Sequence, residues 1–261
     1  MTQRSFVSFR GRFLYNEWYV IYLEGTFVMT TQQQKPKLTA IYVIVIYVAM
    51  QLSGFLLQFP AIFDPLVNLS GLTGTAANNW VVGMWSAMSF AVACAITLAV
   101  TTADKTFWQN FRDEEKAPWS DTIFWGVAGF FIVMAGQALA IQIETWIGID
   151  LGSDNTGRII EISKAAPMMI VATILFGPIL EEILFRRVIF ASFLPSMKFF
   201  GAALISSIVF AAIHMDFSHM LIYIACGFTF AFVYYKTKRI TASIITHVLM
   251  NGFVTATAFL L

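Results

Sequence analysis

Long apolar runs separated by short polar segments dominate the pattern of this chain. A helix needs about 20 mostly apolar residues to cross the hydrocarbon core of a bilayer. Seven windows meet this requirement, at residues 39–59, 80–102, 123–147, 166–194, 199–215, 219–235 and 241–261. Prolines mark or adjoin their ends, at Pro60, Pro118, Pro167 and Pro195. The pattern therefore predicts an all-α, polytopic transmembrane helix bundle of about seven to eight spans.

The candidate for an eighth element is residues 104–119. This segment mixes aromatic and charged side chains, as a helix lying on a membrane surface does. A solvated loop explains the same composition equally well, so both interpretations stay open.

The composition agrees with a protein that has the lipid bilayer as its main partner. Hydrophobic residues make up 58% and charged residues 12% of the chain, whereas soluble domains carry roughly 25% charged residues. The net charge of +1 leaves no basic excess to neutralise phosphates, which argues against a nucleic-acid partner. Cys94 and Cys226 lie inside apolar runs without metal-binding spacing, so we interpret them as small core residues.

The distribution of lysine and arginine predicts the orientation, because positively charged short loops stay in the cytoplasm. With the N-terminus inside, the cytoplasmic side collects Lys35, Lys37, Lys105, Arg112, Lys116, Lys198, Lys236, Lys238 and Arg239. The outer side keeps only Arg158 and Lys164. We therefore expect a multi-pass protein of the cell (plasma) membrane, in which a cytoplasmic segment, residues 1–38, precedes a single membrane domain, residues 39–261.

The first 28 residues raise a separate question about the start of translation. They contain no apolar core of the kind that a secretory signal needs. Glu24 and Gly25 require purine-rich codons shortly before Met29, where a bacterial ribosome-binding site would lie. Our hypothesis is that translation begins at Met29 and that residues 1–28 are an over-extended start.

Ionisable residues inside a predicted span are the strongest functional signal, because a charge at membrane depth costs several kcal/mol. The fourth span contains Glu181, Glu182, Arg186 and Arg187. Glu182 and Arg186 are four residues apart on one helical face and can neutralise each other. Glu181 lies about 100° away around the helix, which leaves its carboxylate available for chemistry. Arg187 is expected to snorkel towards the cytoplasmic head groups.

Two further spans place polar side chains at membrane depth. Phe210 and His214 share a face of the fifth span, and His247 and Asn251 share a face of the seventh. If the chain reverses where the fourth span ends, Glu181 and His214 lie roughly 21 and 25 Å along adjacent antiparallel helices. The polar groups are therefore expected to meet in one core.

The three groups read EEILFR at 181–186, FAAIH at 210–214 and HVLMN at 247–251. They resemble the motifs EExxxR, FxxxH and HxxxN of the CPBP family, which comprises CAAX proteases and bacteriocin-processing enzymes and is also called the Abi family. All three match without substitution and in order, within residues 166–261, which would be the catalytic core.

The resemblance implies an intramembrane, glutamate-dependent endopeptidase without a cofactor, acting on a membrane-associated peptide or protein. For a chain that reads as prokaryotic, it implies bacteriocin processing, self-immunity or regulation of membrane proteins. Trimming of prenylated CAAX tails is the activity that the resemblance implies for eukaryotic members.

Peptide hydrolysis needs an activated water, donors for the developing oxyanion and an acid for the leaving amine. We assign Glu181 and His214 to hold and activate the water, since an ionised carboxylate in apolar surroundings is a strong base. His247 and Asn251 are assigned as donors to the oxyanion. Supporting roles fall to the remaining motif residues: Glu182, Arg186 and Phe210. The spacing does not exclude zinc at Glu181, His214 and His247, although no HExxH motif is present.

The other polar residues have structural explanations. Pro178 is expected to kink the fourth span, and the freed carbonyls near Glu181 would help to admit water. His219 is expected to be incidental. A solvated rim at the outer helix ends is expected from the nearby carboxylates: Glu144, Asp150, Asp154 and Asp216.

Two other functions fit some of these observations. A proton-coupled transporter would use Glu181 and His214 as a relay, and a non-catalytic membrane scaffold would bind a partner through the same fold. The intact motifs favour the enzyme, because a scaffold has no need to keep buried charges.

Overall fold

The computed structural model describes residues 18–23, 26–31, 38–109, 111 and 114–260. It separates the chain into two units, Met1–Lys37 and Leu38–Leu261. In the first unit, strands β1 (Trp18–Leu23) and β2 (Thr26–Thr31) pair in antiparallel register. The hypothesis that translation starts at Met29 stays a prediction. Residues 1–17 and 24–25, which it concerns, lie outside the described residues.

The second unit is a bundle of helices, which confirms the predicted fold class. Its α-helices are α1 (Leu38–Leu52), α2 (Pro60–Ser70), α3 (Gly74–Ala103), α4 (Trp119–Trp146), α5 (Asp154–Ala165), α6 (Met168–Val171), α7 (Gly177–Glu181), α8 (Ala191–Ala212), α9 (Met220–Thr237) and α10 (Ile240–Leu260). Short 3₁₀ helices cover Ser53–Gln58 and Phe217–His219, and π-helical segments cover Ala172–Phe176 and Glu182–Phe190. The first π segment joins α6 to α7, and the second continues α7 to residue 190. Together these four segments form one element, here called the motif helix (residues 168–190).

Six helical runs in the described part of the chain are long and apolar enough to cross a membrane. They are Leu38–Gln58, Gly74–Ala103, Trp119–Trp146, Met168–Ala212, Phe217–Thr237 and Ile240–Leu260. The predicted spans 166–194 and 199–215 lie together in the 45-residue run, which the non-helical backbone at Lys198 divides into two helices, so the six runs correspond to the seven predicted spans.

This 45-residue run folds back on itself. Lys198 interrupts it with a non-helical φ of 54° and ψ of −173°. The hydroxyl of Ser206 donates to the backbone carbonyl of Phe185 at 2.8 Å across 21 residues, a separation that would be about 31 Å in a continuous helix. The reversal brings α8 alongside the motif helix, which is the arrangement that the site requires.

The segment after α3, residues 104–119, is neither a membrane-surface helix nor a fully solvated loop, the two structures that its sequence left open. Its described residues form turns rather than a helix. It is not a fully solvated loop either, since Phe107 and Phe111 are only 1% and 5% exposed. The additional helices lie elsewhere, at α2 and α5. Helix α5 begins where the hydroxyl of its N-cap residue Ser153 accepts a hydrogen bond from the backbone N–H of Thr156 at 3.1 Å.

Loops with basic residues meet at one end of the bundle, here called the basic face. Thr39 at the start of α1 donates to the carboxylate of Asp104 after α3 at 2.7 Å. The backbone N–H of Ala117 before α4 donates to the carbonyl of Thr237 at the end of α9 at 3.0 Å. The start of α1, the α3–α4 loop and the α9–α10 turn therefore lie together.

Helices α8 and α9 approach each other closely at Gly227, and this contact provides a test of the packing. A Cβ atom on Gly227 would lie 2.9 Å from the backbone Cα of Ser207, and a backbone atom cannot rotate away. We expect G227A to lower the free energy of unfolding by about 1–3 kcal/mol, as overpacked cores do, measured by thermal unfolding in detergent. G136A is the control, because its Cβ would lie 3.7 Å from Ala225. Equal losses in both variants would contradict this packing.

Candidate active site

The motif helix departs from α-helical geometry on both sides of Glu181. The segment before α7 and the segment after it are both π-helical, a geometry that is frequent at functional sites. The helix therefore presents two adjacent carboxylates, Glu181 and Glu182, within a locally widened backbone. Their surroundings differ: the side chain of Glu181 is 13% exposed, and that of Glu182 is completely buried.

Pro178 accounts for the first π segment and for the position of Asn251. Proline has no N–H, and the N–H of Gly177 bonds to the carbonyl of Ala172. The carbonyl of Thr173 would accept from Gly177 in an α-helix and from residue 178 in a π-helix, and neither N–H is available. Nδ2 of Asn251 donates to this carbonyl instead, at 2.9 Å. The disturbance predicted at Pro178 takes the form of a π turn, and the carbonyl it frees holds a motif side chain.

Glu182 and Arg186 form the predicted ion pair, with no exposure of either side chain. Nε of Arg186 lies 3.2 Å from Oε2 of Glu182, and its Nη1 donates to the hydroxyl of Ser206 at 3.1 Å. The guanidinium also lies over the rings of Phe210 and Phe230, at 5.1 and 5.3 Å from their centroids. These contacts neutralise both charges inside the bundle and join the motif helix to α8 and α9.

His247 lies between the two glutamates. Its Nδ1 is 3.0 Å from Oε1 of Glu182, and its Nε2 is 3.7 Å from Oε2 of Glu181. An ionised carboxylate only accepts, so Nδ1 of His247 carries the proton that Glu182 binds. The ring is stacked on Phe230 with centroids 4.3 Å apart. Glu182 therefore fixes the tautomer and orientation of His247, and Nε2 points towards Glu181.

His214 is also held in one tautomer. Its Nδ1 lies 2.7 Å from the backbone carbonyl of Phe210. A carbonyl only accepts, so Nδ1 carries the hydrogen and Nε2 of the neutral ring is an acceptor. The imidazole is stacked on Tyr223 with centroids 4.1 Å apart. Phe210 thus supports the site through its backbone as well as through its ring.

One cavity of about 320 Å³ is lined by all four residues predicted to be catalytic: Glu181, His214, His247 and Asn251. They come from the motif helix, from the turn that follows α8 and from α10. The convergence predicted from the three motifs is therefore present. Glu182 and Arg186 do not line this cavity but lie buried beside it.

Tyr47 is a cavity residue that the sequence patterns did not identify. It lies on α1, is 3% exposed and lines the same cavity as Glu181. Its hydroxyl is buried and interacts with the carboxylate of Glu181, although no hydrogen bond of regular geometry forms among the described residues. A tyrosine inside an apolar span has no distinguishing spacing, so only the packing of α1 against the motif helix shows its position.

Several predictions for the outer helix ends are wrong. Glu144 and His219 are buried and paired, with Nδ1 of His219 2.9 Å from Oε2 of Glu144. Asp216 is 9% exposed and accepts from the hydroxyl of Ser153 at 2.7 Å. These groups are therefore a second buried polar cluster rather than a solvated rim. The rim prediction holds for the remaining two carboxylates, since Asp150 and Asp154 are exposed.

Arg187 does not extend to the head groups as expected. It is 6% exposed, and its guanidinium lies 4.3 Å from the centroid of the Phe107 ring. The loop after α3 covers it, which explains both its burial and the burial of Phe107. Cys94 and Cys226 are buried and free, as predicted for small core residues.

A zinc set is the metal site that the spacing of the motif residues allowed. Within the described ranges, no three His, Cys, Asp or Glu side chains are grouped closely enough to hold an ion. A zinc set of Glu181, His214 and His247 is therefore not formed in this arrangement. The metal dependence of any activity stays a prediction.

Comparisons with known proteins agree with the three motifs. Residues 163–253 match the family model described as "Type II CAAX prenyl endopeptidase Rce1-like". The chain is 40% identical over 217 residues to "Putative membrane peptidase YdiL" of Bacillus subtilis (strain 168), covering 82% of this chain and 86% of that protein. It is 32% identical over 197 residues to "Membrane-embedded CAAX protease MroQ" of Staphylococcus aureus (strain USA300), covering 73% of this chain and 78% of the relative.

A third relative is "UPF0177 protein YxdF" of Lactococcus lactis subsp. lactis (strain IL1403), which is 34% identical over 139 residues, half of this chain and 74% of the relative. No solved structure gave a significant match. The matched family segment contains all five motif residues that line the cavity, Phe210 included, whereas α1 with Tyr47 lies outside it.

The buried ion pair gives a prediction about stability. E182Q leaves the guanidinium of Arg186 charged and without its counter-ion, so we expect the free energy of unfolding to fall by about 3–5 kcal/mol. The matched control is E114Q, since Glu114 pairs with Lys238 at 2.8 Å but its side chain is 53% exposed. The control should lose less than about 1 kcal/mol. Detergent-based unfolding titrations measure both, and similar losses would show that the buried pair has no special structural role.

Proposed function

Because the chain belongs to the Rce1-like CAAX protease family of membrane peptidases, we propose that it hydrolyses a peptide bond near or within the bilayer, with Glu181 as the base. One observation carries the proposal. Glu181, His214, His247 and Asn251 line a single cavity, while Glu182 and Arg186 neutralise each other beside it. Of the two adjacent carboxylates, only that of Glu181 is therefore available to a substrate.

The first step is attack by water. Nε2 of His214 is an acceptor because Nδ1 donates to Phe210, and the carboxylate of Glu181 is a second acceptor on the same cavity. A water held by both is oriented and loses a proton to Glu181 as its oxygen bonds to the carbonyl carbon of the peptide. The product of this step is a tetrahedral intermediate with a negatively charged oxygen, formed without a covalent bond to the enzyme.

The second step is collapse of this intermediate. Asn251 has one amide hydrogen beyond the one it gives to Thr173, and that hydrogen can bond to the oxyanion. His247 can donate from Nε2 only when it is protonated, because its Nδ1 hydrogen is engaged by Glu182. The proton taken by Glu181 passes to the amide nitrogen as the C–N bond breaks, which releases the amine and the new carboxyl terminus.

The substrate is a membrane-associated peptide or protein, and the relatives that the chain matches are bacterial. Among roles for such an enzyme, bacteriocin processing, self-immunity and regulation of membrane proteins fit the resemblance stated for the motifs. The concentration of lysine and arginine at the basic face supports a plasma-membrane protein with a cytoplasmic N-terminus. We propose that zinc is not required, so activity should survive exhaustive chelation.

The proposal is tested with E181Q. This change removes the base but keeps the shape of the side chain, so we expect cleavage to fall at least 100-fold with unchanged folding. Purified protein in liposomes is incubated with membrane-bound candidate peptides, and products are identified by mass. E161Q is the matched control, because Glu161 is exposed and bonded to Asn79 at 2.9 Å, away from the cavity.

The same variant separates the other two functions. Equal product from E181Q and the wild type would remove Glu181 as the base. A proton-coupled transporter would show ion flux in the same liposomes that is lost in E181Q. A scaffold would keep its cellular phenotype in E181Q, since binding does not need a base.

Tyr47 adds a further prediction about the reaction. Its buried hydroxyl interacts with the carboxylate of Glu181 but forms no hydrogen bond of regular geometry among the described residues, so we propose that it donates a hydrogen bond to the charged reacting groups. Y47F removes only this donor, and kcat should fall by about 10-fold with little change in KM, since bonds to charged groups contribute about 1.5–3 kcal/mol. Y42F is the control, because Tyr42 on the same helix is 50% exposed. Unchanged kcat in Y47F would exclude this role.

A further inference from the structure

The cavity of Glu181 occupies one half of the bundle. Helices α4 and α9 and the end of α8 line the cavity with residues that lie away from the basic face. Examples are Gln137, Ile213 and Tyr223. Its lining continues to Ser153 and Thr156 at the start of α5, both of which are partly exposed. The cavity thus runs from the middle of the bundle towards the end opposite the basic face, here called the cavity face.

The other half of the bundle is closed. On the side of Glu181 towards the basic face, the motif helix continues into side chains with no more than 1% exposure: Glu182, Ile183, Phe185 and Arg186. Ser206 and Ser243 on the neighbouring helices are 0% exposed. Arg187 and Phe107 then cover the end of the element. A peptide approaching from the basic face would have to displace this packed core and its ion pair.

The two faces differ in charge. The loops, turns and helix end at the basic face carry Lys105, Lys116, Lys198, Lys236, Lys238 and Arg239. The cavity face carries Arg158 and Lys164. Short loops rich in lysine and arginine stay on the cytoplasmic side of a membrane. The closed half of the bundle is therefore the cytoplasmic half.

We propose that the catalytic cavity opens away from the cytoplasm, so that the enzyme receives peptide segments presented at the outer surface of the membrane. That a peptide enters the cavity rests on the proposed function. The direction in which the cavity opens rests only on the packing of the bundle and on the distribution of lysine and arginine. It specifies the substrate class as segments that have already crossed the bilayer or that emerge from its outer leaflet. Bonds in cytoplasmic tails are excluded from this class.

Cysteine labelling in intact spheroplasts tests the direction without any cleavage step. G157C marks the cavity face, since Gly157 on α5 is exposed and a Cβ there meets nothing within 4 Å. Q109C marks the basic face at an exposed position. E181C reports from inside the cavity, and T156C reports from its lining if E181C does not fold. The wild type gives the background, because Cys94 and Cys226 are buried.

A charged, membrane-impermeant thiol reagent should label G157C and the cavity reporter in intact spheroplasts. Q109C should react at least about 10-fold faster after permeabilisation than before it. The reverse pattern for G157C and Q109C would overturn the orientation. Labelling of G157C from outside, with the cavity reporter reached only after permeabilisation, would overturn the outward opening. Because no outcome involves peptide cleavage, these results are independent of the E181Q experiment.

Discussion

The ion pair between Glu182 and Arg186 is the constraint on which the rest of the structure depends. Two charges cannot remain at membrane depth unless they neutralise each other and gain further favourable contacts. The guanidinium pairs with a carboxylate on its own helix, donates to a serine on α8 and lies over aromatic rings, while its Nη2 has no hydrogen-bond partner among the described residues. These contacts hold the motif helix, α8 and α9 in one register. They also leave His247 anchored to Glu182 through Nδ1.

This constraint explains why adjacent glutamates have different roles. Glu182 is used entirely within the protein, by Arg186 and His247. Glu181 points into the cavity, with the imidazole of His247 3.7 Å away. One carboxylate thus supports the fold and orients a histidine, and the other is left for chemistry. The π-helical backbone before Glu181 also contributes to the site. The carbonyl of Thr173, which has no backbone donor because of Pro178, accepts from Asn251 and so positions it.

Local spacing made part of this site predictable. Residues four apart share a helical face, which was enough to pair Glu182 with Arg186 and to associate His214 with Phe210. The contacts that spacing could not predict are those between distant segments, such as Glu144 with His219 across 75 residues. Tyr47 was not predicted for the same reason, since it is distant in sequence from the residues with which it lines the cavity. The reversal between the fourth and fifth spans was also predictable, and the non-helical backbone at Lys198 divides the run where that reversal was expected.

In the proposed reaction, four side chains together bind a tetrahedral intermediate: Glu181, His214, His247 and Asn251. The most direct measurement is an experimental structure of the protein in lipid with a phosphinic peptide, whose phosphorus carries two oxygens in the geometry of that intermediate. One phosphinate oxygen is expected between Glu181 and His214 and the other accepting from Asn251, with His247 beside it. A peptide bound outside the cavity, or with its phosphinate directed away from Glu181, would contradict the account.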